Sequence, residues 1–321
     1  MKVILDVDTG TDDALAIALA VLSPEIELVG LTTVSGNVHV DKTSVNTLRV
    51  LEFLGVDDVP VFRGASKPLV KELRTVEWVH GSDGLGDSGI PMPRRKPEDK
   101  PAAEFIVEKL RESGPGEITL IATGPLTNLA IALLLEPRIA EKTREIIVMG
   151  GAFGITPHGT GNITPVSEFN IYTDPEAAKI VFESGARVTC VGLDVTMDPS
   201  AVLRPEHMEK MGKSKSRAAE LAARVTRGMM KRVGFFALHD PMAVALAVKP
   251  ELLKIEEYYV QVSLEEGDLR GQTIADRRWF VRELGEKLGI RPKGAKINIA
   301  SWVDGPRFLE FFLNRMVQSK K

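Results

Sequence analysis

Leu5-Asp6-Val7-Asp8-Thr9-Gly10-Thr11-Asp12-Asp13 is the stretch on which the reading of this chain turns. Residues 3–7 are apolar apart from Asp6, the pattern of a strand buried on both faces. Asp12 and Asp13 then open an apolar helical run to about residue 22. The handover places Asp8, Asp12 and Asp13 at the carboxyl end of the first strand, where open α/β sheets bind their ligands.

The same alternation recurs outward from that point. Residues 27–33 read as a second strand and 41–54 as a helix ended by Gly55. Residues 117–122 are a strand, followed by a turn at Gly124-Pro125 and a helix to residue 135. Buried strands follow at 145–149 and 187–192, with a helix near 175–184 between them. Such alternation predicts an α/β fold with a mostly parallel, Rossmann-like central sheet flanked by helices. The pattern then changes. Residues 258–264, a turn at Glu266-Gly267-Asp268 and residues 271–275 read as an added hairpin. A last strand at 296–303 and a closing helix at 307–317 complete the chain. No low-complexity linker or internal repeat divides it, so residues 1–321 are expected to form a single catalytic domain. The Gly- and Pro-rich segments 70–101 and 156–165 read as irregular loops that either bind a ligand or merely connect elements.

Composition narrows the function. Lys+Arg 41 against Asp+Glu 44 gives a net charge of −3, without the basic excess of a nucleic-acid-binding domain. Cys190 is the only cysteine, which rules out an intrachain disulfide and a thiolate zinc cluster. The longest apolar run, from residue 14 to residue 22, is too short to span a bilayer. The chain starts with a strand-like run rather than the charged start and cleavage site of a signal peptide, so a cytoplasmic location is expected.

The acidic stretch carries the first chemical signal. Two like charges about 4 Å apart repel by about 4 kcal/mol at an effective dielectric of about 20. A helix N-terminus offsets only about 0.3–1 kcal/mol of that. Water must solvate the cluster or a cation must neutralise it, and hard oxygen donors without a thiolate favour Ca²⁺ or Mg²⁺ over zinc. A simpler reading makes Thr11 or Asp12 an N-cap, with Asp13 favourable to the helix dipole. That reading leaves Asp8, at the end of a buried strand, unexplained. Asp6-Val7-Asp8 also matches the Asp-x-Asp of haloacid-dehalogenase-type phosphatases. The Thr expected two places after the second Asp is Gly10 here, and Asp12-Asp13 is foreign to that pattern.

Further groups fall on other strand ends and loops. Thr123, in Ala122-Thr123-Gly124-Pro125-Leu126-Thr127-Asn128, reaches the same sheet edge, where a backbone carbonyl suits a hard metal. Asn162 with Glu168-Phe169-Asn170 offers two amides, a carboxylate and an apolar face, a set suited to a polyhydroxylated ligand. Asn37 ends the second strand and joins this set. His239-Asp240-Pro241 opens a helix, Pro241 suiting its first turn. His80 lies in a Gly-rich stretch whose Gly84-Leu85-Gly86-Asp87-Ser88-Gly89 matches a dinucleotide fingerprint only nominally, because Pro91 and Pro93 follow where a helix should. The basic stretch 213–232 reads as a solvated helix face. P-loop, zincin and serine-hydrolase motifs are absent.

Together, Asp8-Thr9-Gly10-Thr11-Asp12-Asp13-Ala14, Ser35-Gly36-Asn37, His80-Gly81, Met149-Gly150-Gly151, Gly161-Asn162, Glu168-Phe169-Asn170, His239-Asp240-Pro241 and Gly271-Gln272-Thr273 resemble, in order, the inosine–uridine-preferring nucleoside hydrolases. The resemblance spans nearly the whole chain. It implies hydrolysis of the N-glycosidic bond of ribonucleosides to free base and ribose, with one Ca²⁺ held by Asp8, Asp13, the Thr123 carbonyl and Asp240. Asp8 would take the proton of a water held at Ca²⁺, and His239, protonated in the working complex, would be the acid that protonates the departing base. Asp12, Asn37, His80, Asn162, Glu168, Phe169 and Asn170 would contact the substrate, and a homodimer or homotetramer is expected. Two alternatives stay open: a Mg²⁺-dependent phosphohydrolase using Asp6 or Asp8 as nucleophile, and a nucleoside- or ribose-binding protein without turnover. Family members often stack an aromatic from the helix before the His-Asp pair on the base. Here that helix offers Arg224, Arg227, Met229, Met230 and Lys231, which leaves Trp78 or Phe236 for stacking.

Overall fold

Val3, Leu5 and Val7 pack into one apolar cluster and Ile4 into another on the opposite face. Successive strand residues point to opposite faces, so the first strand needs helices on both sides to be buried. The computed structural model describes residues 1–318 and shows this arrangement. Its strands are β1 (Lys2–Val7), β2 (Glu27–Thr33), β3 (Val61–Arg63), β4 (Ile118–Ala122), β5 (Glu145–Met149), β6 (Val188–Val191), β7 (Leu253–Val262), β8 (Thr273–Ala275) and β9 (Ala295–Val303). They form one sheet in the order β3-β2-β1-β4-β5-β6-β9-β7-β8. The pairings from β3 through β6 to β9 are parallel, whereas β7 runs antiparallel to both β9 and β8. The mostly parallel sheet and the added hairpin both match the sequence expectation.

Chain connections run outward in opposite directions from β1 and β4, making the β1/β4 boundary the topological switch point. Asp6 pairs with Ala122 across it, so Asp8 and Thr123 leave the sheet side by side.

The helix Thr11–Val21 follows β1 and is apolar around nearly its whole circumference, as is the helix His239–Val248. Such helices must be buried. They pack against each other beneath one face of the sheet, covered by the helices Arg217–Val233 and Gly305–Val317. The opposite face is covered by Ala102–Glu112, Thr127–Leu135 and Pro175–Phe182. Both central helices start at the same place, with Asp12 and Asp13 in the first turn of one and Asp240 in the first turn of the other.

Two local expectations change. Neither Thr11 nor Asp12 caps the first helix: Gly10 is the N-cap residue, and Asp13 reaches back so that its Oδ2 accepts the Gly10 N–H at 2.8 Å. His80 does not sit in irregular backbone but ends a single helical turn, Glu77–His80, and is buried. Among the described residues no helix is long and apolar enough to cross a membrane.

Candidate active site

Asp8, Asp13 and Asp240 are fully or almost fully buried, and Asp12 is nearly so. Carboxylate oxygens of Asp12, Asp13 and Asp240 lie within 4.8 Å of one another, a grouping that could hold a metal ion. Asp8 falls outside that tight trio but borders it, since Asn37 ties the two together. The Asn37 N–H donates to Asp8 Oδ2 at 2.7 Å, and its Nδ2 donates to Asp13 Oδ2 at 3.2 Å. Thr123 Oγ1 donates to Asp13 Oδ1 at 2.8 Å. The Thr123 carbonyl accepts from Asn170 Nδ2 at 2.8 Å, which leaves it one lone pair.

This knot needs glycine. A Cβ on Gly36 would sit 2.1 Å from Asp8 Oδ2, and one on Gly10 would sit 2.5 Å from His80 Nδ1. Only at residues without a side chain can the second strand's end and the His80 turn close this tightly on the acidic cluster.

The acids are electrostatically unsatisfied. Asp8 Oδ1 and Asp12 Oδ1 are buried without a hydrogen-bond partner. Burial, and then mutual repulsion, holds Asp8 and Asp240 well above the usual carboxylate range. The same causes push Asp12 up to about 7. Asp13 is raised chiefly by burial, against hydrogen bonds from Gly10 and Thr123. A cation among these oxygens would remove the repulsion and engage the two orphaned atoms, so the donor set fits a hard divalent metal.

Asp6 lies apart. It points to the other face of the sheet, where Thr32 Oγ1 and Asn128 Nδ2 donate to its Oδ1 at 2.5 and 2.8 Å. It does not line the cavity, and its carboxylate, unlike that of Asp8, has no hydrogen bond to Asn37 or to any other cavity-lining residue among those described.

That cavity, of about 320 Å³, opens over the acidic cluster. Asp12, Asn37, His80, Thr123, Asn162, Glu168, Phe169, Asn170, His239 and Asp240 all line it; of the expected site residues only Asp8 and Asp13 do not, and both are hydrogen-bonded to Asn37 in its wall. Glu168 has a structural tie as well: it caps the short helix Phe169–Thr173, and its carboxylate accepts the N–H groups of Gly151, Asn170 and Ile171. Most of the remaining wall is apolar, including Trp78, Met197, Met229, Val233, Phe235 and Phe236. Trp78 is 71% exposed at the rim and Phe236 is buried. Of the helix before the His-Asp pair, only Met229 and Val233 face the cavity. Among the described residues, no lysine or arginine lines it.

Both histidines are neutral at pH 7. Burial, with Arg232 and His239 nearby, lowers His80 to about 4, and burial lowers His239 to about 4. The Thr11 backbone N–H donates to His80 Nδ1 at 3.1 Å, so the His80 proton sits on Nε2. His239 Nδ1 meets the Thr196 hydroxyl at 2.7 Å and has no hydrogen bond to Asp240. Sequence reasoning missed Thr196 and Met197. The only signal for them was their position just after the strand β6.

Buried acids crowded at the switch point of a doubly wound sheet, beneath an apolar cavity with convergent amides and imidazoles, mark a hydrolytic enzyme of the α/β class. Comparison with known proteins makes this specific. Residues 3–310 match the family model described as inosine-uridine preferring nucleoside hydrolase, and the chain belongs to that family. It is 40% identical to uridine nucleosidase 1 of Arabidopsis thaliana over 99% of this chain and 93% of that protein. Among solved structures, it resembles a plant nucleoside hydrolase, PpNRh1, at 36% identity, with a TM-score of 0.88 and 98% of each chain covered. It also resembles a purine-preferring ribonucleoside hydrolase from Gardnerella vaginalis at 37% identity, with a TM-score of 0.86, covering 99% of this chain and 98% of that one. The protein is thus a ribonucleoside hydrolase, an enzyme of the N-glycosyl hydrolase class.

The raised carboxylates set the pH dependence of the metal-free protein. An acid whose pKa is higher folded than unfolded favours folding at low pH, and that contribution is lost as pH rises. For Asp12 the window runs from 3.8 to about 7. Calcium should therefore raise the melting temperature of chelated protein more at pH 8 than at pH 5, by about 5 °C at saturation. Calorimetric scans at both pH values check this, and an increment independent of pH would contradict it.

Proposed function

We propose that this enzyme hydrolyses ribonucleosides with Ca²⁺ held by Asp8, Asp13, Asp240 and the Thr123 carbonyl. The observation that carries this reading is the buried cluster of raised carboxylates with orphaned oxygens at the floor of the cavity. Calcium held there by these residues would supply positive charge that makes the proton of a nearby water easier to remove.

The chain's own residues do the rest. Asp8, with Oδ2 fixed by the Asn37 N–H and Oδ1 free, accepts the proton of the attacking water. Asp12 and Asn37 hold the 2′- and 3′-hydroxyls of the ribose. Asn162, Glu168 and Asn170 hold its far end, and Phe169 covers it. As the glycosidic bond breaks, the ribosyl group gains oxocarbenium character, and the surrounding carboxylates favour that charge. The apolar wall, with Trp78 and Phe236 as its aromatic faces, holds the base. His80 and His239 border it as neutral imidazoles, and His239 donates a hydrogen bond to the departing base. We further infer a homo-oligomeric, cytoplasmic enzyme, with dimer and tetramer as the expected states.

Reducing-sugar release from a panel of purine and pyrimidine ribonucleosides, with and without chelator, tests the reading: turnover of at least one should vanish on chelation and return with Ca²⁺. Asp8→Ala should lower kcat by about 10³-fold with the circular dichroism spectrum unchanged. An active Asp8→Ala enzyme would remove the base role. His239→Ala should slow uridine or inosine by about 10²-fold and spare p-nitrophenyl riboside, whose leaving group needs no help. Equal losses on both would take His239 out of that role. A 5′-phosphate would meet carboxylates and no protein cation, although three backbone N–H groups partly balance Glu168. The kcat/KM for a nucleoside 5′-monophosphate should therefore fall at least about tenfold below that of the nucleoside. Comparable values would show that the cavity tolerates the anion.

A further inference from the structure

Thr196 is fully buried in the short turn Leu193–Thr196, directly after β6. A helical threonine usually returns its hydroxyl proton to the carbonyl one turn back. Here that carbonyl, of Gly192, already takes the backbone N–H groups of Val195 and Thr196. Among the described residues, the one hydrogen bond of Thr196 Oγ1 is to His239 Nδ1, at 2.7 Å.

A buried hydroxyl must spend its proton. If His239 carried its proton on Nδ1, that N–H would point at Oγ1 and the hydroxyl proton would have no acceptor. If Nδ1 is bare, the hydroxyl donates to it and both groups are satisfied. We propose that the Thr196 hydroxyl, by donating to His239 Nδ1, holds His239 in the tautomer with its proton on Nε2, the ring nitrogen left for the base. Thr196 is then a positioning residue for the leaving-group step, a role that rests on the reading of His239 given above.

The turn that carries Thr196 is firmly mounted. Asp194, two residues earlier, is buried, and its carboxylate accepts the N–H groups of Phe153, Ile155 and Thr156 at 2.8, 2.7 and 3.2 Å. Thr156 Oγ1 donates to the Asp194 carbonyl at 2.6 Å, and the Leu193 N–H donates to the Gly151 carbonyl at 2.9 Å. The hydroxyl therefore addresses the imidazole from a fixed platform, and the hydrogen bond is set before substrate arrives. His80 reaches the same protonation pattern by another route, through the Thr11 backbone N–H. Proton balance is kept across the reaction. The electron pair of the C1′–N bond moves onto the base under the Nε2–H hydrogen bond, and the proton the base finally gains equals the one Asp8 took from water.

The test joins a spectrum to kinetics, on calcium-loaded enzyme. Long-range ¹H–¹⁵N correlation spectra of protein labelled at the histidine ring nitrogens report the tautomer, with the His239 signals assigned from His239→Ala. The wild type and Thr196→Ser should show a bare Nδ1 and a protonated Nε2, whereas Thr196→Val should show a mixture of tautomers. Thr196→Val should lower kcat on uridine or inosine about tenfold with KM little changed, spare p-nitrophenyl riboside, and be rescued by Thr196→Ser. A protonated Nδ1 in the wild type would overturn the proposal without any variant having to fold. So would equal losses of Thr196→Val on both substrates. If His239→Ala itself spared nucleosides, the role of His239 and the catalytic part of this proposal would fall, while the spectrum would still decide the tautomer.

Discussion

Three buried aspartates, the largely covered Asp12, two helix N-termini and, among the described residues, no lysine or arginine meet at one point, and the repulsion among those carboxylates is the constraint around which the molecule is arranged. Two buried helices aim their positive ends at Asp12, Asp13 and Asp240, but each helix end offsets only about 0.3–1 kcal/mol. Hydrogen bonds from Asn37, Gly10 and Thr123 hold Asp8 and Asp13 in place and still leave oxygens of Asp8 and Asp12 unpartnered. A metal-free form must keep some of these acids protonated. A metal-bound form can ionise them all.

Scaffold and chemistry are thereby linked. The parallel strands β1 and β4 deliver Asp8 and Thr123 side by side because they flank the switch point. Gly10 and Gly36 let neighbouring segments close on the carboxylates at distances no side chain would permit. Asp6, the last residue but one of β1, stays in the sheet and bonds to Thr32 and Asn128, whereas Asp8 lies beyond the end of the strand at Val7, where the chain has left the sheet and alternation no longer governs its direction. The nearest local motif in the sequence, Asp-x-Asp, thus separates into one residue under the cavity and one that faces away from it.

Much of this was legible in the chain. Alternating apolar runs specified β2 and β5 to the residue, because buried parallel strands are continuous in hydrophobicity and end at polar residues. The three-residue β3 and the helices Ala102–Glu112 and Trp279–Leu288 escaped notice: the strand is too short for periodicity, and both helices are half polar, so their faces emerge only once the sheet is in place. The acidic cluster was legible because charge beside a buried strand is costly wherever it occurs. Its detailed geometry was not, since the close approach of Asp12, Asp13 and Asp240 depends on two helices from distant parts of the chain starting at the same place. Nor could sequence reveal the triple backbone capping of Glu168 or the Thr196–His239 bond, both of which depend on contacts between distant turns.

Calorimetric titration of calcium into chelated enzyme near pH 6.5, repeated in buffers of different ionisation enthalpy, measures binding and the protons it displaces together. The account requires one ion per chain and release of protons from the raised carboxylates as it binds. Calcium that binds without displacing protons, or does not bind at all, would mean that the buried acids are stabilised by something other than a cation, and the account would be wrong at its foundation.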